Sequence, residues 1–262
     1  MRSLDIAVTG MSAMNSKIEV TSNNIANMST TGYSKRIANF QSLIYQTERS
    51  AGVAASADGE GTVPTGVQVG LGVELQSIGR SLEQGTLAQT GNAFDLAING
   101  RGYFAVALPN AEVGYTRAGN FTLNSEGVIV TQDGYPVWPE ITVPEDASKV
   151  SVNSSGQVYA HFDNDTEPQE IGQFDLFTFI NEGGMDAVGN TTFKETLASG
   201  APQQGFPGDE NFGVIKQGYI ENSNVDVVKE ITDLITAQRA YEMNSKVIQA
   251  SDEMMATTSN LR

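Results

Sequence analysis

The two ends of the chain carry the pattern that decides the fold. Residues 4–28 read LDIAVTGMSAMNSKIEVTSNNIANM, and residues 234–255 read LITAQRAYEMNSKVIQASDEMM. Apolar residues recur every seven positions in both stretches, which places them along one narrow stripe of a helix and predicts a helix that needs helical partners. We interpret the members of these stripes as subunit-interface residues: Leu4, Met11, Met14, Ile18 and Ile25 in the first stretch, and Leu234, Tyr241, Val247, Ile248 and Met255 in the second.

The pattern predicts one helix over residues 4–28 and a longer one over residues 225–261. The d positions of the main row of the longer helix are Ala237, Asn244, Ser251 and Thr258, which are small or polar. Such residues permit a close approach between helices but form a weak core on their own. The C-terminal helix is therefore expected to need neighbours on more than one side.

Composition and charge exclude several classes of function. The 262 residues include 31 acidic and 15 basic side chains, for a formal net charge of −16. Nucleic acids and anionic membrane surfaces are bound by clustered Lys and Arg, whereas the one basic doublet here is Lys35-Arg36. We therefore expect no nucleic-acid partner. The absence of cysteine excludes disulfides, thiolate metal ligands and cysteine nucleophiles.

The N-terminal sequence predicts neither a membrane anchor nor a cleavable signal peptide. Its apolar residues are spaced rather than continuous, and no apolar run in the chain approaches the length of a membrane span. We expect no direct membrane insertion, and any export would need a route other than general secretion.

The sequence between the two ends predicts an antiparallel β domain. From about residue 94 to 220, short apolar runs alternate with turn residues and no helical pattern intervenes. Residues 199–213 are predicted to form a loop. The turn signals lie between FDLAI and GYFAV at Asn99-Gly100, between FTL and VIV at NSEG, before YPVW at Asp133-Gly134, between VSV and QVYAHF at NSSG, and after FDLFTFI at residues 182–184.

A stretch rich in Gly, Ala and Ser runs from Ser50 to Val73, with almost no large side chain before Val63. It cannot bury enough apolar surface to order itself, so it is either a flexible linker or an arm that orders against a neighbour. We therefore predict a mixed α and β fold. Residues 1–30 and 222–262 form a discontinuous helical coiled-coil domain, residues 31–66 an extended arm or hairpin, and residues 67–221 a β-rich outer domain.

The chain contains no convincing active site. His161 is the only histidine, and it lies in the alternating run QVYAHF, which predicts a solvent-facing strand residue. A single histidine cannot form a histidine-based metal site, and no nucleophile motif accompanies it. We expect no catalytic residue, no metal and no cofactor, and we interpret the chain as a protein that is not an enzyme.

Two long motifs at the chain ends resemble the signatures of the bacterial flagellar rod and hook family. The first is SNNIANMSTTGYSKRIANFQ at residues 22–41, and the second begins QGYIENSNVDVVKEITDLITAQRAYEMNSK at residue 217. The middle, including FDLAINGRGYFAV, is similar to the β domain of that family. The motif residues that carry the resemblance are Asn23, Asn24, Asn27, Thr31, Gly32, Asn224, Gln238 and Arg239.

The resemblance implies a structural subunit of a rigid helical tube that transmits motor torque and forms part of an export channel. It implies export by the flagellar type III apparatus and a location in the basal body, from the periplasm to the outer membrane. Implied partners are copies of the chain, proximal rod proteins, the hook protein, and the P-ring and L-ring proteins.

Two alternatives remain open at this point. Chain length and the arm at about residues 46–66 favour the distal rod over a proximal rod or hook subunit. The alternative from another class is a secreted β-rich protein that binds glycans or cleaves peptidoglycan.

Overall fold

The computed structural model describes residues 2–51, 64–109, 112–163 and 167–260. The chain divides into two compact units. Unit 1 contains Met1–Ile25, Arg36–Gly79 and Val227–Arg262, and unit 2 contains Ala26–Lys35 and Arg80–Asp226. The central part of the predicted arm, residues 52–63, lies outside the described residues.

Unit 1 contains both terminal helices, α1 (Arg2–Ala26) and α2 (Val227–Asn260). Each lies within about two residues of its predicted bounds. Helix α1 ends before Asn27, whose carbonyl accepts a turn hydrogen bond from the Thr30 amide at 3.1 Å. The prediction of two terminal helices flanking a β-rich region of antiparallel strands is therefore confirmed.

A folded ribbon of four strands completes unit 1: β1 (Arg36–Ser42), β2 (Tyr45–Arg49), β3 (Val67–Gly70) and β4 (Val73–Arg80). Strand β1 pairs with β4, and β2 pairs antiparallel with β3. The break between β3 and β4 falls at Gly72, where φ is +125° and an added Cβ would lie 2.2 Å from the Thr9 hydroxyl oxygen. Only glycine permits the ribbon to approach α1 this closely.

Unit 2 is built from short antiparallel strands. They are β5 (Leu87–Gln89), β6 (Leu96–Asn99), β7 (Phe104–Ala107), β8 (Val113–Thr116), β9 (Thr122–Leu123), β10 (Ile129–Val130), β11 (Val137–Trp138), β12 (Ala147–Val152), β13 (Gln157–Phe162), β14 (Gln169–Gln173), β15 (Leu176–Thr178), β16 (Asp186–Gly189), β17 (Thr192–Lys194), β18 (Gln203–Gly205), β19 (Val214–Gln217) and β20 (Tyr219–Glu221). The largest sheet has five strands in the order β11-β7-β8-β17-β16. A second sheet has the order β12-β13-β14, and the pairs β9-β10, β15-β18, β6-β19 and β5-β20 complete the unit.

Several predicted hairpins are confirmed. Strand β9 pairs with β10 across the NSEG turn, and β12 pairs with β13 across NSSG. The turn at Asp133-Gly134 is closed by a bridge between Val130 and Pro136. His161 lies on strand β13 as predicted, but it is half-buried rather than solvent-facing, with its Nε2 atom 2.9 Å from the Ser151 hydroxyl.

Three strand predictions are wrong. Strands β6 and β7 do not form a hairpin at Asn99-Gly100, because β6 pairs with β19 and β7 with β8. The run FDLFTFI does not fold back at residues 182–184, where the chain makes a 3-10 turn, and β15 pairs instead with β18. Strand β18 itself falls inside residues 199–213, which were predicted to be a loop. In each case pairing with a distant strand overrides a local turn signal.

The core of unit 2 is aromatic and aliphatic. Phe104 packs edge-on against Phe121 and Phe174, with ring centroids 5.2 and 6.1 Å apart. A second cluster surrounds Tyr103 and Tyr115. Such edge-to-face pairs stabilise a core beyond the burial of area alone.

A buried ion pair joins separate segments of unit 2. The Arg117 guanidinium donates to a Glu221 carboxylate oxygen at 2.9 Å and to the Gly100 carbonyl at 2.9 Å. The other Glu221 oxygen accepts from the Gly85 amide at 3.0 Å. Because both charges are hydrogen-bonded on several sides, the cost of burying them is offset.

We expect unit 2 to lose stability in alkali through Tyr103. Burial raises the pKa of Tyr103 to about 12, and its hydroxyl donates to Glu182 Oε2 at 3.0 Å. The folded pKa exceeds the unfolded value, so this stabilisation is complete below about pH 10 and is lost as the pH rises through 12. Denaturant unfolding should show about 1 kcal/mol less stability at pH 11 than at pH 8 from this group. Tyr103→Phe should reduce the fall in unfolding free energy between pH 8 and pH 11. The remaining fall should come from Tyr115, because burial also raises the pKa of Tyr115 to about 12. An unchanged fall would contradict the assignment.

Candidate assembly surface

The two terminal helices lie side by side and antiparallel within unit 1. Near one end, the Asn24 side-chain amide on α1 donates to Glu230 Oε2 on α2 at 3.0 Å. Further along, a Cβ added at Gly10 would lie 2.8 Å from Asn244 Nδ2. Asn24 thus lies opposite Glu230 and Gly10 opposite Asn244, so the two helices run in opposite directions.

The row of α2 that faces α1 is small and polar. Glu230, Ala237, Asn244 and Ser251 lie seven residues apart, and the exposed fractions of Glu230, Ala237 and Ser251 are 2%, 1% and 2%. This row contains the small and polar positions noted in the sequence. Its short side chains, opposite Gly10, allow the helices to approach closely.

Most of the large apolar side chains of α2 lie outside this row and are exposed to solvent. Among the predicted interface residues, Tyr241, Val247 and Met255 are exposed, and Leu234 and Ile248 are half-buried. Other exposed apolar residues of α2 are Val228, Ile231, Ile235, Met243 and Met254. A helix with large apolar side chains on its outer side has surface available for contacts beyond its own chain.

Helix α1 also has fully buried residues on one side and an apolar stripe that is only half-buried. The predicted interface residues Leu4, Met11, Met14, Ile18 and Ile25 are all half-buried, while its fully buried residues are Ala7, Ala13, Val20, Thr21 and Asn24. On a neighbouring side of α1, a cleft of about 270 Å³ is lined by small residues of the helix together with Leu43, Val73 and Leu75 of the ribbon. The apolar stripe of α1 is thus only partly covered.

Asn24 forms a buried polar joint between three elements of unit 1. Besides Glu230, it donates to the Arg36 carbonyl at 2.8 Å and accepts from the Arg36 amide at 2.9 Å. Sequence reasoning identified Asn24 as a motif residue but missed Glu230. Glu230 was missed because a glutamate in the first turn of a helix is ordinarily solvated. Its spacing of seven residues from Ala237 was the sequence feature that indicated a place in the buried row.

We expect Asn24→Asp to destabilise unit 1 by about 3 kcal/mol, because it places a second carboxylate against buried Glu230 and removes two donated hydrogen bonds. Denaturant unfolding followed by far-UV circular dichroism measures the loss. Ser22→Asp, which adds the same charge at an exposed position of the same turn, should change stability by less than about 0.5 kcal/mol. Adding Glu230→Gln to Asn24→Asp should recover part of the loss. Equal effects of the two single variants would contradict a buried joint.

Other motif residues bring together, within unit 2, the segments that follow α1 and precede α2. The Gly32 amide donates to the Glu221 carbonyl at 2.8 Å. The Asn224 side chain accepts from the Lys35 amide at 2.6 Å and donates to the Glu83 carbonyl at 2.7 Å. Asn224 therefore holds this junction, and α2 begins three residues later at Val227.

The remaining motif residues occupy different settings. Asn27 accepts a hydrogen bond from the Thr30 hydroxyl at 3.2 Å, and Thr31 lines a polar cleft of unit 2. Asn23, Gln238 and Arg239 have exposed side chains on the helices.

Gly32→Ala should cost more than an ordinary glycine substitution. Gly32 has φ of +68°, and an added Cβ would lie 2.7 Å from the Ala118 backbone nitrogen. We expect a loss above about 2 kcal/mol, since the left-handed conformation alone costs about 1–2 kcal/mol for alanine. Gly91→Ala is the matched control, with φ of +79° and nothing within 4 Å of the added Cβ. Equal losses in thermal unfolding would show that the Ala118 contact does not matter.

The structure also bears on metal ligands and on the hydropathy of the helices in the described residues. Among them, no group of three or more His, Cys, Asp or Glu side chains is arranged to hold a metal ion. Within the same residues, neither helix is sufficiently apolar along its length to cross a bilayer.

Three family models match successive parts of the chain. Residues 4–33 match a model described as flagella basal body rod protein, and residues 97–160 match the flagellar hook protein FlgE/F/G D1 domain. Residues 216–261 match the flagellar basal body rod FlgEFG protein C-terminal model. Two terminal helices that flank a β unit in the sequence, with family matches to both helices and to the unit, define the class of flagellar axial proteins.

Relatives that align with the whole length of the chain identify its family. The chain is 52% identical over 262 residues to the flagellar basal-body rod protein FlgG of Caulobacter vibrioides, covering 100% of both chains. It is 48% identical to the FlgG of Agrobacterium fabrum, with 99% and 98% covered, and 39% identical to that of Bacillus subtilis, with 100% and 99% covered. The chain belongs to the family of flagellar basal-body rod proteins FlgG, the structural subunits of the distal rod.

Proposed function

We propose that this chain polymerises through its two terminal helices into the rigid tube of the distal flagellar rod, where it transmits torque without catalysing a reaction. The observation that carries the proposal is the exposed apolar surface of α2, beside a small and polar row that already contacts α1. Helix α2 thus contacts α1 through its small and polar row, while its large apolar side chains are available for contacts with neighbouring subunits. Packing of this kind between identical subunits continues as a helix unless its rotation closes a ring.

Within the tube, we propose that the helices of neighbouring copies pack as a coiled-coil inner wall, with residues 1–30 and 222–262 as its discontinuous domain. The half-buried stripe of α1 and the exposed rows of α2 support this arrangement, because both are apolar surfaces that one chain leaves incompletely covered. Unit 2 corresponds to most of the outer layer, residues 67–221. The lumen of the wall forms part of the export channel.

The partners follow from a place in the rod. They are further copies of the chain, proximal rod proteins below, the hook protein above, and the P-ring and L-ring proteins around the shaft. The chain reaches this place through the flagellar type III export apparatus, without a cleavable signal peptide. The location is the basal body, from the periplasm to the outer membrane.

The test of this function is polymerisation of the purified full-length chain. On concentration it should form straight tubes visible by negative-stain electron microscopy, and a null strain should lack the distal part of its rod. Curved tubes would instead indicate a hook subunit, and loss of the whole rod in the null strain would indicate a proximal one. Absence of ordered polymer at any concentration would overturn the proposal.

The arm at residues 46–66 is proposed to stiffen the tube by lying across neighbouring subunits. Its small side chains permit close backbone contact, which supports the idea. Deletion of residues 52–63 should leave a chain that polymerises into tubes that bend. Tubes as straight as those of the parent chain would contradict the proposal that the arm stiffens the tube.

A further inference from the structure

Two aliphatic side chains of unit 2, Ile180 and Leu197, are largely exposed to solvent. The exposed fraction of Leu197 is 107% and that of Ile180 is 80%. The loop that carries Leu197 passes beside Ile180, because a Cβ added at Gly200, three residues after Leu197, would lie 4.0 Å from Ile180 Cδ1. We name Ile180 and Leu197 the knob.

The loop that carries the knob is internally fixed. Ser199 is 1% exposed, and its hydroxyl accepts from the Thr196 amide and donates to the Thr196 carbonyl, both at 2.9 Å. The Asn181 side-chain amide donates to the Ala198 carbonyl at 3.0 Å. These bonds hold the loop from both sides, so Leu197 is presented in a defined position.

A cleft elsewhere on unit 2 has the size and polarity to receive such a knob. Its volume is about 470 Å³, and its lining includes Phe94, Leu123, Val143, Pro144 and Ala147. Phe94 and Ala147 also pack against the main core cluster, so the floor of the cleft is firm. The residues of the knob do not line the cleft of their own chain.

Charge gives the contact an orientation. Exposed Glu195 lies two residues before Leu197, and exposed Lys149 is the single cation among the residues that line the cleft. Glu145 is the anion of the same lining. A knob entering with Glu195 towards Lys149 would gain an ion pair, whereas the reverse orientation would bring Glu195 towards Glu145.

We propose that the knob of one copy inserts into this cleft on the next copy, giving unit 2 its own subunit contact in addition to those of the helices. The contact joins two different surfaces, so it is heterologous and can extend without end, as a tube requires. The inference rests on the proposed function, because it assumes that copies of the chain assemble.

A chain with no cysteine allows the contact to be tested by cross-linking. Leu197→Cys and Leu123→Cys chains, mixed, assembled and treated with a short bismaleimide, should give a covalent dimer that neither variant gives alone. The double variant should give a ladder of multimers. Val188→Cys, also at an exposed apolar position, replaces Leu197→Cys as the control and should give no dimer with Leu123→Cys.

Charge reversal tests the orientation. Glu195→Lys in the Leu197→Cys chain should lower the cross-linking yield roughly fivefold, as expected for an exposed ion pair. Lys149→Glu in the Leu123→Cys chain should restore it. Failure of the second reversal to restore the yield would overturn the ion pair.

The outcomes separate the contact from the function. Straight tubes without the mixed dimer would overturn the knob contact and leave the proposed function standing. The mixed dimer without tubes would uphold the contact and overturn the proposed function. Neither tubes nor dimer would overturn both.

Discussion

Ile248→Asp should abolish polymerisation and leave unit 2 folded. Ile248 is half-buried on α2 in the single chain, beside exposed Val247, so the substitution costs the free subunit little. In a tube the same position is expected to be enclosed by neighbouring helices, where an unpaired charge costs about 3–5 kcal/mol. That cost applies to every subunit added and should raise the critical concentration at least about a hundredfold. Sedimentation of polymer from a concentration series measures it.

Gln249→Asp is the matched control for this prediction. It adds the same charge one residue further along, at an exposed position on another side of the helix. We expect a much smaller rise in critical concentration. Near-UV circular dichroism of the aromatic core should match the parent in both variants. Normal tubes from the Ile248→Asp chain would refute the assignment of this row to a subunit interface.

Glu221→Gln should be among the most destabilising conservative substitutions in unit 2. It leaves the Arg117 charge buried without its partner, since the two side chains are 10% and 6% exposed. Removing one member of a buried pair costs about 3–5 kcal/mol. For a unit of this size the melting temperature should fall by roughly 10 °C.

The exposed pair between Lys194 and Glu112 provides the comparison. Both of its side chains are substantially exposed, and such pairs contribute at most about 1 kcal/mol. Glu112→Gln should therefore shift the melting temperature by only a degree or two. Replacing both Arg117 and Glu221 by Leu should remain destabilising, because the Gly100 carbonyl and the Gly85 amide then lose their partners. Similar shifts for Glu221→Gln and Glu112→Gln would contradict the importance of burial.

The helices and the local hairpins could be predicted because their determinants are close together in the chain. The seven-residue repeats placed both helices within about two residues of their bounds. Turn sequences such as NSEG and NSSG determined the pairs β9-β10 and β12-β13. The same reasoning failed at Asn99-Gly100, where a good turn signal lies between strands of different sheets. Gly100 has φ of +119° there and lies against Gly213, next to the strand that pairs with β6.

The sequence by itself determined the family, the two terminal helices and the β-rich character of the region between them. Repeats, turns and motifs depend on residues that are close together in the chain, so they can be recognised from the sequence alone. The tertiary structure decided which row of α2 meets α1, since buried Glu230 accepts a hydrogen bond from Asn24 on the other helix. It also decided the pairing of β6 with β19 and the burial of Arg117 against Glu221. These contacts depend on complementary groups far apart in sequence, and no local pattern specifies which will meet.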